Sequence, residues 1–333
     1  MPVTVAVDAN GADLGPAEVA AGASMAAAQG VAVRLYGPAG EVGEPPGVEV
    51  VDAPLSIAKD PDPARAVRAN PDASVVQAAR AVADGQADAL VAGGSTGAVL
   101  AAGLFEIKRA RGIYRPALAI PVPVPDHPVT LLDVGANAEV RSEHLVQFAY
   151  MGSAFATSVL GVERPRVALL SNGEEGSRGT PTVVEAHQQL ASGSELDFVG
   201  NIEGNDVTSG AADVVVTDGF TGNVAIKLAE GVSATMLGAI RARVESSPRA
   251  KLGGLLMRPA LRGLRDELDP EAHGGAYLLG LRGLVVVPHG RFSRAGYAQA
   301  ILLAARGVEG QVAERTHAAL EAAGALRRPA PAR

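Results

Sequence analysis

A chain of 333 residues, 47% hydrophobic and 20% charged, is long enough to bury one large α/β core and too apolar to stay disordered. Having no cysteine, it has no disulfide framework, no thiolate metal site and no cysteine nucleophile for a covalent acyl-enzyme. A net charge of -7 opposes general nucleic-acid binding, which needs clustered cations against phosphates.

The first residues, MPVTVAVDANG, lack a cationic start and enter a β-branched strand at once, so no signal peptide is expected. No run approaches the ~20 apolar residues of a membrane span. The first strand ends at Asp8, and ANGAD turns the chain into an Ala-rich helix over 16–29. Segments 31–37 and 47–53 read as short strands with glycine or proline punctuation. A helix over 74–83, ended by Gly85, precedes a buried strand over 89–92 and a helix over 98–109. VTLLDVGAN is a strand ending at Asp133, followed by a helix over 142–160; RVALLSNGEEG ends a strand at Ser171, followed by a helix over 182–190. DFVGNIEG, ADVVVTDG and GLVVVPHG supply the remaining strands, and a C-terminal helix starts at Gly296.

Strands alternating with helices imply right-handed βαβ crossovers, and so an α/β fold with a doubly wound, mostly parallel sheet and helices on both faces. Ligands of such sheets bind beyond the carboxyl ends of the strands. The polar, glycine-rich turns fall there: DANGAD, GGSTG, DVGAN, SNGEEGSRG, DGFTGN and PHGRFSR.

Two of these turns share a template. ADALVAGGSTGAVL from Ala87 and ADVVVTDGFTGNVA from Ala212 each pass from an apolar strand through glycine and a Thr-Gly pair into a helix. In one reading, backbone N–H groups, the helix dipole and the threonine hydroxyl make the two corners a bipartite anion site. In the other, Gly94, Gly97, Gly219 and Gly222 permit tight turns while Ser95, Thr96 and Thr221 cap helices. Neither corner has Walker or dinucleotide spacing. Lys227 stands one turn beyond Asn223, within reach of an anion at that helix start. Glu174, Glu175 and Arg178 share a loop, either as a cation site or base, or as solvated charges. His289 leads into HGRFSR, where Ser293 and Arg294 at a helix start can fork onto phosphate. No group of histidines and carboxylates has metal spacing, and neither metal nor cofactor is expected.

From Arg241 to Arg265 the only carboxylate is Glu245. Within KLGGLLMRPALRGLRDEL, Met257, Leu261, Leu264 and Leu268 form one helical stripe flanked by Arg258, Arg262 and Arg265. Such a helix suits an anionic membrane surface or an acidic partner, or else a buried dimer contact with solvated arginines.

In order, these stretches resemble one family: the acyl-acyl carrier protein:phosphate acyltransferases of bacterial phospholipid synthesis, the PlsX family. AVDANGAD from Ala6, ADALVAGGSTGAVLAAGLF from Ala87, RPALAIPVP from Arg115 and LLDVGANAEVRSEHLVQFAYMGS from Leu131 carry the resemblance. So do RVALLSNGEEGSRG from Arg166, ADVVVTDGFTGNVAIKLAEGV from Ala212 and YLLGLRGLVVVPHG from Tyr277. The family usually has Met-Gly-Gly-Asp where this chain has Asn10-Gly11-Ala12-Asp13. The resemblance implies a three-layer α/β/α fold of the isocitrate and isopropylmalate dehydrogenase type, one domain over 1–333, with 228–270 a helical protrusion for dimer and membrane contact. It implies conversion of long-chain acyl-carrier protein and inorganic phosphate to acyl phosphate and free carrier. The expected setting is a cytoplasmic homodimer at the inner face of the membrane, feeding a membrane glycerol-phosphate acyltransferase.

On that resemblance, Asn223, Lys227, His289 and Arg294 are expected at the chemistry. Asp8, Gly11, Asp13, Ser95, Thr96, Gly97, Asp133, Asn137, Asn172, Glu174, Glu175, Asp218, Gly219, Thr221, Gly222 and Ser293 are expected to hold phosphate or thioester. The membrane or partner face falls on Leu255, Leu256, Met257, Arg258, Leu261, Arg262, Leu264 and Arg265. Two rivals remain at this level: a phosphotransacetylase-like enzyme that uses acyl-coenzyme A, and a non-enzymatic scaffold at a lipid surface.

Overall fold

The computed structural model describes residues 2–122, 124, 128–193, 195–267 and 269–327, without the side chains of 261, 264–267 and 270. The strands are β1 (Thr4–Asp8), β2 (Ala32–Gly37), β3 (Val48–Asp52), β4 (Ala89–Ala92), β5 (Ala117–Val122), β6 (Val129–Leu132), β7 (Arg166–Leu170), β8 (Asp197–Ile202), β9 (Val214–Val216), β10 (Ala276–Leu279) and β11 (Leu284–Val287). They join in one sheet, ordered β3-β2-β1-β4-β11-β10-β5-β6-β9-β7-β8. The helices are α1 (Pro16–Ala27), α2 (Ala39–Val42), α3 (Pro63–Ala69), α4 (Ser74–Ala83), α5 (Thr96–Ala102), α6 (Ser142–Leu160), α7 (Pro181–Ala191), α8 (Gly219–Glu245), α9 (Pro248–Glu267), α10 (Pro270–His273), α11 (Arg294–Glu309) and α12 (Val312–Ala322). A π-helical stretch, Gly103–Ile107, continues α5.

Alternate residues of the strands face two apolar layers. Val5 and Val7, Ala89 and Val91, and Ala117 and Ala119 pack with α1, α6, α7, α11 and α12. Ala6, Leu90, Ala92 and Leu118 pack on the other face with α3, α4 and α5. Further along that second face, Val122, Leu131 and Val215 form a third cluster that includes Ile226 of α8. Half-buried Ile120 and Val134 belong to both clusters, so α5 and α8 lie on the same face of the sheet.

The sheet is mostly parallel, but less uniformly than the βαβ pattern predicts. β10 runs antiparallel to both β11 and β5, and β5 antiparallel to β6. These reversals divide the sheet into two doubly wound halves of opposite direction. β4 and β11 end at one edge, while β6, β9, β7 and β8 end at the other. Five steps separate β4 from β9, and at about 20° of twist per step their directions differ by a further 100° or so. The two carboxyl ends, opposed in a flat sheet, therefore stand nearer a right angle.

α8 leaves the sheet after its first turns: its buried residues are Gly219 and Gly222. Its 27 residues span about 40 Å, and α9 folds back along it, with Gly254 packed against Val244. Phe220, Val224, Leu228, Val232, Met236 and Ile240 line α8 at four-residue spacing, all exposed. On α9, Leu255, Leu256, Met257, Arg258 and Arg262 are exposed. The side chains of Leu261, Leu264, Arg265 and Leu268, the rest of the expected stripe, lie outside the described residues. Among the described residues no helix is long and apolar enough to cross a membrane.

Candidate active site

Three glycine turns interlock at the carboxyl ends of β1, β4 and β11. A Cβ on Gly11 would stand 2.0 Å from the Gly93 carbonyl oxygen, and one on Gly94 1.9 Å from that of Gly11. Gly290 lies against Gly94 and Asp13, and the Asp13 N–H donates to the Gly290 carbonyl at 2.7 Å. No side chain fits between these backbones. Gly94 also has φ +89°, which glycine adopts without the Cβ penalty. From this knot α5 departs. The Ser95 hydroxyl caps it by accepting from the Ala98 N–H at 3.3 Å. Among the described residues, the N–H groups of Thr96 and Gly97 and the Thr96 hydroxyl have no hydrogen-bond partner, as expected of a first helical turn. These half-buried donors point from the positive end of the helix dipole.

Beside them lies Asp8, 4% exposed, in a small cavity with Ser56, Ser74, Gly93 and Ser95. Its carboxylate accepts from the Asn10 N–H at 3.1 Å and from the Ser74 hydroxyl. Burial outweighs those bonds and pushes its pKa from an ordinary 3.8 to about 6. A titratable group tuned toward neutrality in a polar cleft is what proton transfer requires. The Tyr297 hydroxyl, fully buried and without a partner, also sits against Gly93. Ser56, Ser74 and Tyr297 escape sequence reading because they arrive from a loop and two helices remote in the chain.

The other members of this knot are partly engaged. His289 is exposed; its Nδ1 accepts from the Arg291 N–H at 3.2 Å, which leaves Nε2 as an outward donor. Arg291 approaches Asp13 at 3.9 Å. The expected phosphate fork at Ser293 and Arg294 is filled by carboxylates. Glu271 takes the Ser293 N–H at 3.0 Å and also its hydroxyl; Glu18 takes the Arg294 N–H at 2.8 Å and its guanidinium at 2.7 Å. Two carboxylates at the start of α11 satisfy the donors that a phosphate would use.

At the second corner, Asp133 organises the turn after β6. Oδ1 accepts from Leu118, Gly135 and Ala136 N–H groups at 3.0, 3.2 and 3.0 Å, and Oδ2 from the Asn137 N–H at 2.7 Å and Nδ2 at 2.8 Å. Burial raises its pKa despite those bonds. Asn137 also donates to the Pro116 carbonyl at 2.7 Å. Gly219 and Gly222 press against this turn, where a Cβ on Gly222 would lie 2.0 Å from the Asp133 carbonyl oxygen. Asp218 caps α8, accepting from the Thr221 N–H at 2.8 Å and hydroxyl at 2.7 Å. Thr221 is therefore a capping residue here, and the Asp218 charge repels a second anion at that spot. Asn223 faces Gly135, and Lys227 is exposed one turn on.

The loop carrying Asn172, Glu174 and Glu175 is exposed and tied elsewhere. Glu175 pairs with Arg178 at 3.4 Å, and the Glu175 carbonyl accepts from Asn201 of β8 at 3.0 Å. The two corners thus share a sheet face but not a hydrogen-bond network: among the described residues no hydrogen bond joins them. Between α5 with its π-helical extension and α8 lies an apolar strip of half-buried residues, Ile120 on β5 and Val134 and Ala136 in the turn after β6. No group of three or more histidines and carboxylates able to hold a metal occurs among the described residues.

The sequence comparisons with known proteins agree on one family. A family model described as fatty acid synthesis protein matches residues 3–315. The phosphate acyltransferase of Latilactobacillus sakei is 42% identical over 296 residues, 86% of this chain and 88% of its own. That of Lactococcus lactis is 40% identical over 305 residues, 89% and 92% of the two chains. Among solved structures, the EutD phosphotransacetylase of Staphylococcus aureus shares the fold, with TM-score 0.59 and 19% identity over 92% of this chain and 94% of that one. The chain belongs to the PlsX family of phosphate acyltransferases, and it is an enzyme that transfers acyl groups with phosphate.

Proposed function

We propose that the acyl donor is a long-chain thioester on acyl carrier protein, and that inorganic phosphate takes the acyl group at the start of α5. The supporting observation is the placement of α5 and α8 on one sheet face with an apolar strip between them. The strip suits a fatty chain; the free N–H groups and hydroxyl of Thr96 and Gly97 suit an anion. Phosphate is itself a nucleophile. The protein has to hold it, aim an oxygen at the thioester carbonyl and stabilise the oxyanion, for which Asn223 and His289 carry uncommitted donors. As the carbon–oxygen bond forms and the carbon–sulfur bond breaks, the proton of monohydrogen phosphate passes through the Asp8 carboxylate to the departing thiolate, so charge and protons balance. Lys227 lends a positive charge to the second corner. The exposed apolar lines of α8 and α9 support a homodimer and contact with an anionic membrane, where acyl phosphate would pass to a glycerol-phosphate acyltransferase.

Purified protein given palmitoyl-carrier protein should release free carrier thiol only when phosphate is present, and should use acetyl-coenzyme A far more slowly. In the same assay Thr96→Ala should raise the KM for phosphate about tenfold or more while sparing that for the thioester, since a hydrogen bond to a charged group is worth about 1.5–3 kcal/mol. Preference for acetyl-coenzyme A would favour the phosphotransacetylase alternative, and vesicle binding without any turnover the scaffold.

A further inference from the structure

Lys108, Arg109, Arg111 and Arg115 crowd the segment between the π-helix and β5, and no carboxylate interrupts them. Arg282, on the turn between β10 and β11, joins them: its N–H donates to the Lys108 carbonyl at 2.9 Å and its Nε to that of Arg109 at 3.3 Å. All five are exposed, and among the described residues none has a carboxylate within ion-pair distance. In a chain of net charge -7 this is a local reversal of sign. The backbone is held to present it. Lys108 has φ +71°, rarely adopted by a side chain of its size, and the Arg109 guanidinium is spent on the carbonyls of Ile113 and Tyr114. Lys108, Arg111, Arg115 and the outer nitrogens of Arg282 are left facing water. An open cavity of about 400 Å³ adjoins the patch; its charged lining is Lys108, Arg282, the Arg80–Glu106 pair and Asp84.

The patch borders the candidate site. Arg115 precedes Pro116, whose carbonyl accepts from Asn137, and Leu118, whose N–H is held by Asp133. The π-helix that ends just before Lys108 is the far end of the helical rod that begins at Thr96.

We infer that Lys108, Arg111, Arg115 and Arg282 form the docking surface for an acidic protein that presents the acyl thioester. This rests on the reading of the donor as carrier-bound. Charge complementarity favours a protein over a lipid surface: the large exposed apolar side chains lie on α8, α9 and elsewhere, and none lies between 100 and 120. A membrane-seated patch pairs cations with exposed apolar residues, whereas a steering surface for a soluble acidic partner needs charge alone.

The test is the triple variant Lys108→Glu, Arg111→Glu, Arg115→Glu, with its thermal melt compared with wild type to establish that it folds. Acyl-free carrier protein is titrated into each, and initial rates are taken with acyl-carrier protein. The expected result is binding to wild type that weakens as salt is raised, and at least about tenfold weaker binding to the triple variant. The KM for acyl-carrier should rise in parallel, with kcat and the KM for phosphate unchanged. Equal carrier binding by both proteins, no carrier binding by wild type, or a loss confined to vesicles of anionic lipid would overturn the inference. Charge-dependent carrier binding without turnover would leave the docking surface standing and remove the proposed reaction; carrier turnover with an unchanged KM in the variant would do the reverse.

Discussion

Asp133→Ala is expected to lose about 3–5 kcal/mol of folding stability and to dismantle the second corner. Its two oxygens accept five hydrogen bonds, and Asp133 itself has no exposed surface, while Gly135 and Ala136 are half-buried. Removing an acceptor that serves several buried donors costs the desolvation of each donor left unpaired, about 1–3 kcal/mol apiece before relaxation or water entry reduces it. The bonded groups come from the start of β5 and from Gly135, Ala136 and Asn137 of the turn, so the loss reaches Gly135, against which Asn223 rests. Asp133→Asn should fall between the two: it keeps one acceptor oxygen but turns an NH₂ toward groups that are themselves donors. Urea melts of the three proteins supply the comparison. An alanine variant within about 1 kcal/mol of wild type would mean that water replaces the carboxylate and that the turn does not depend on it.

Asp8→Asn should have the opposite effect on stability and a damaging one on turnover. The Asp8 carboxyl holds its proton more tightly when folded, with a pKa of about 6 against an ordinary 3.8. Its contribution to stability is then full below pH 4, declines as pH rises through about 6, and above that the chain carries the cost of a buried charge. That rise corresponds to about 3 kcal/mol. Asparagine carries no such charge but bonds the Asn10 N–H and Ser74 less strongly, so a net gain of about 1–3 kcal/mol at pH 8 is expected, shrinking toward zero near pH 4. Denaturant melts across that range measure it. The same change should lower kcat by about 100-fold or more, the usual effect of removing a positioned acid-base group, and should erase an activity limb near pH 6. A variant that is both fully active and no more stable at pH 8 would place Asp8 among the ordinary turn-forming carboxylates.

Much of this layout is written in local pattern. Every helix start that matters follows an apolar strand and a glycine turn, and the polar turns do gather at strand ends as βαβ logic requires. The two strands that local pattern does not announce, β5 and β10, are the ones that reverse the sheet. β5 carries Pro121, which breaks strand periodicity, and β10 is four residues long between a helix and a tight turn. Without them the pattern places the two corners along one carboxyl edge. The choice between anion site and helix cap was equally closed to inspection of sequence, because it turns on which neighbour reaches the donors first. At α8 that neighbour is Asp218, one residue before the helix. At α11 it is Glu18 and Glu271, which approach from α1 and α10 and are remote or masked by an intervening strand pair in the chain. At α5 the Ser95 hydroxyl takes a single N–H and leaves its neighbours free.

That remaining freedom at α5 is the feature on which the rest turns, and a crystal structure of the protein with phosphate bound examines it directly. Phosphate oxygens within about 3 Å of the Thr96 and Gly97 N–H groups are predicted, with Asp8 on the same side. Phosphate seated at the start of α11 with Glu18 and Glu271 displaced, or at α8 in place of the Asp218 cap, would contradict the account.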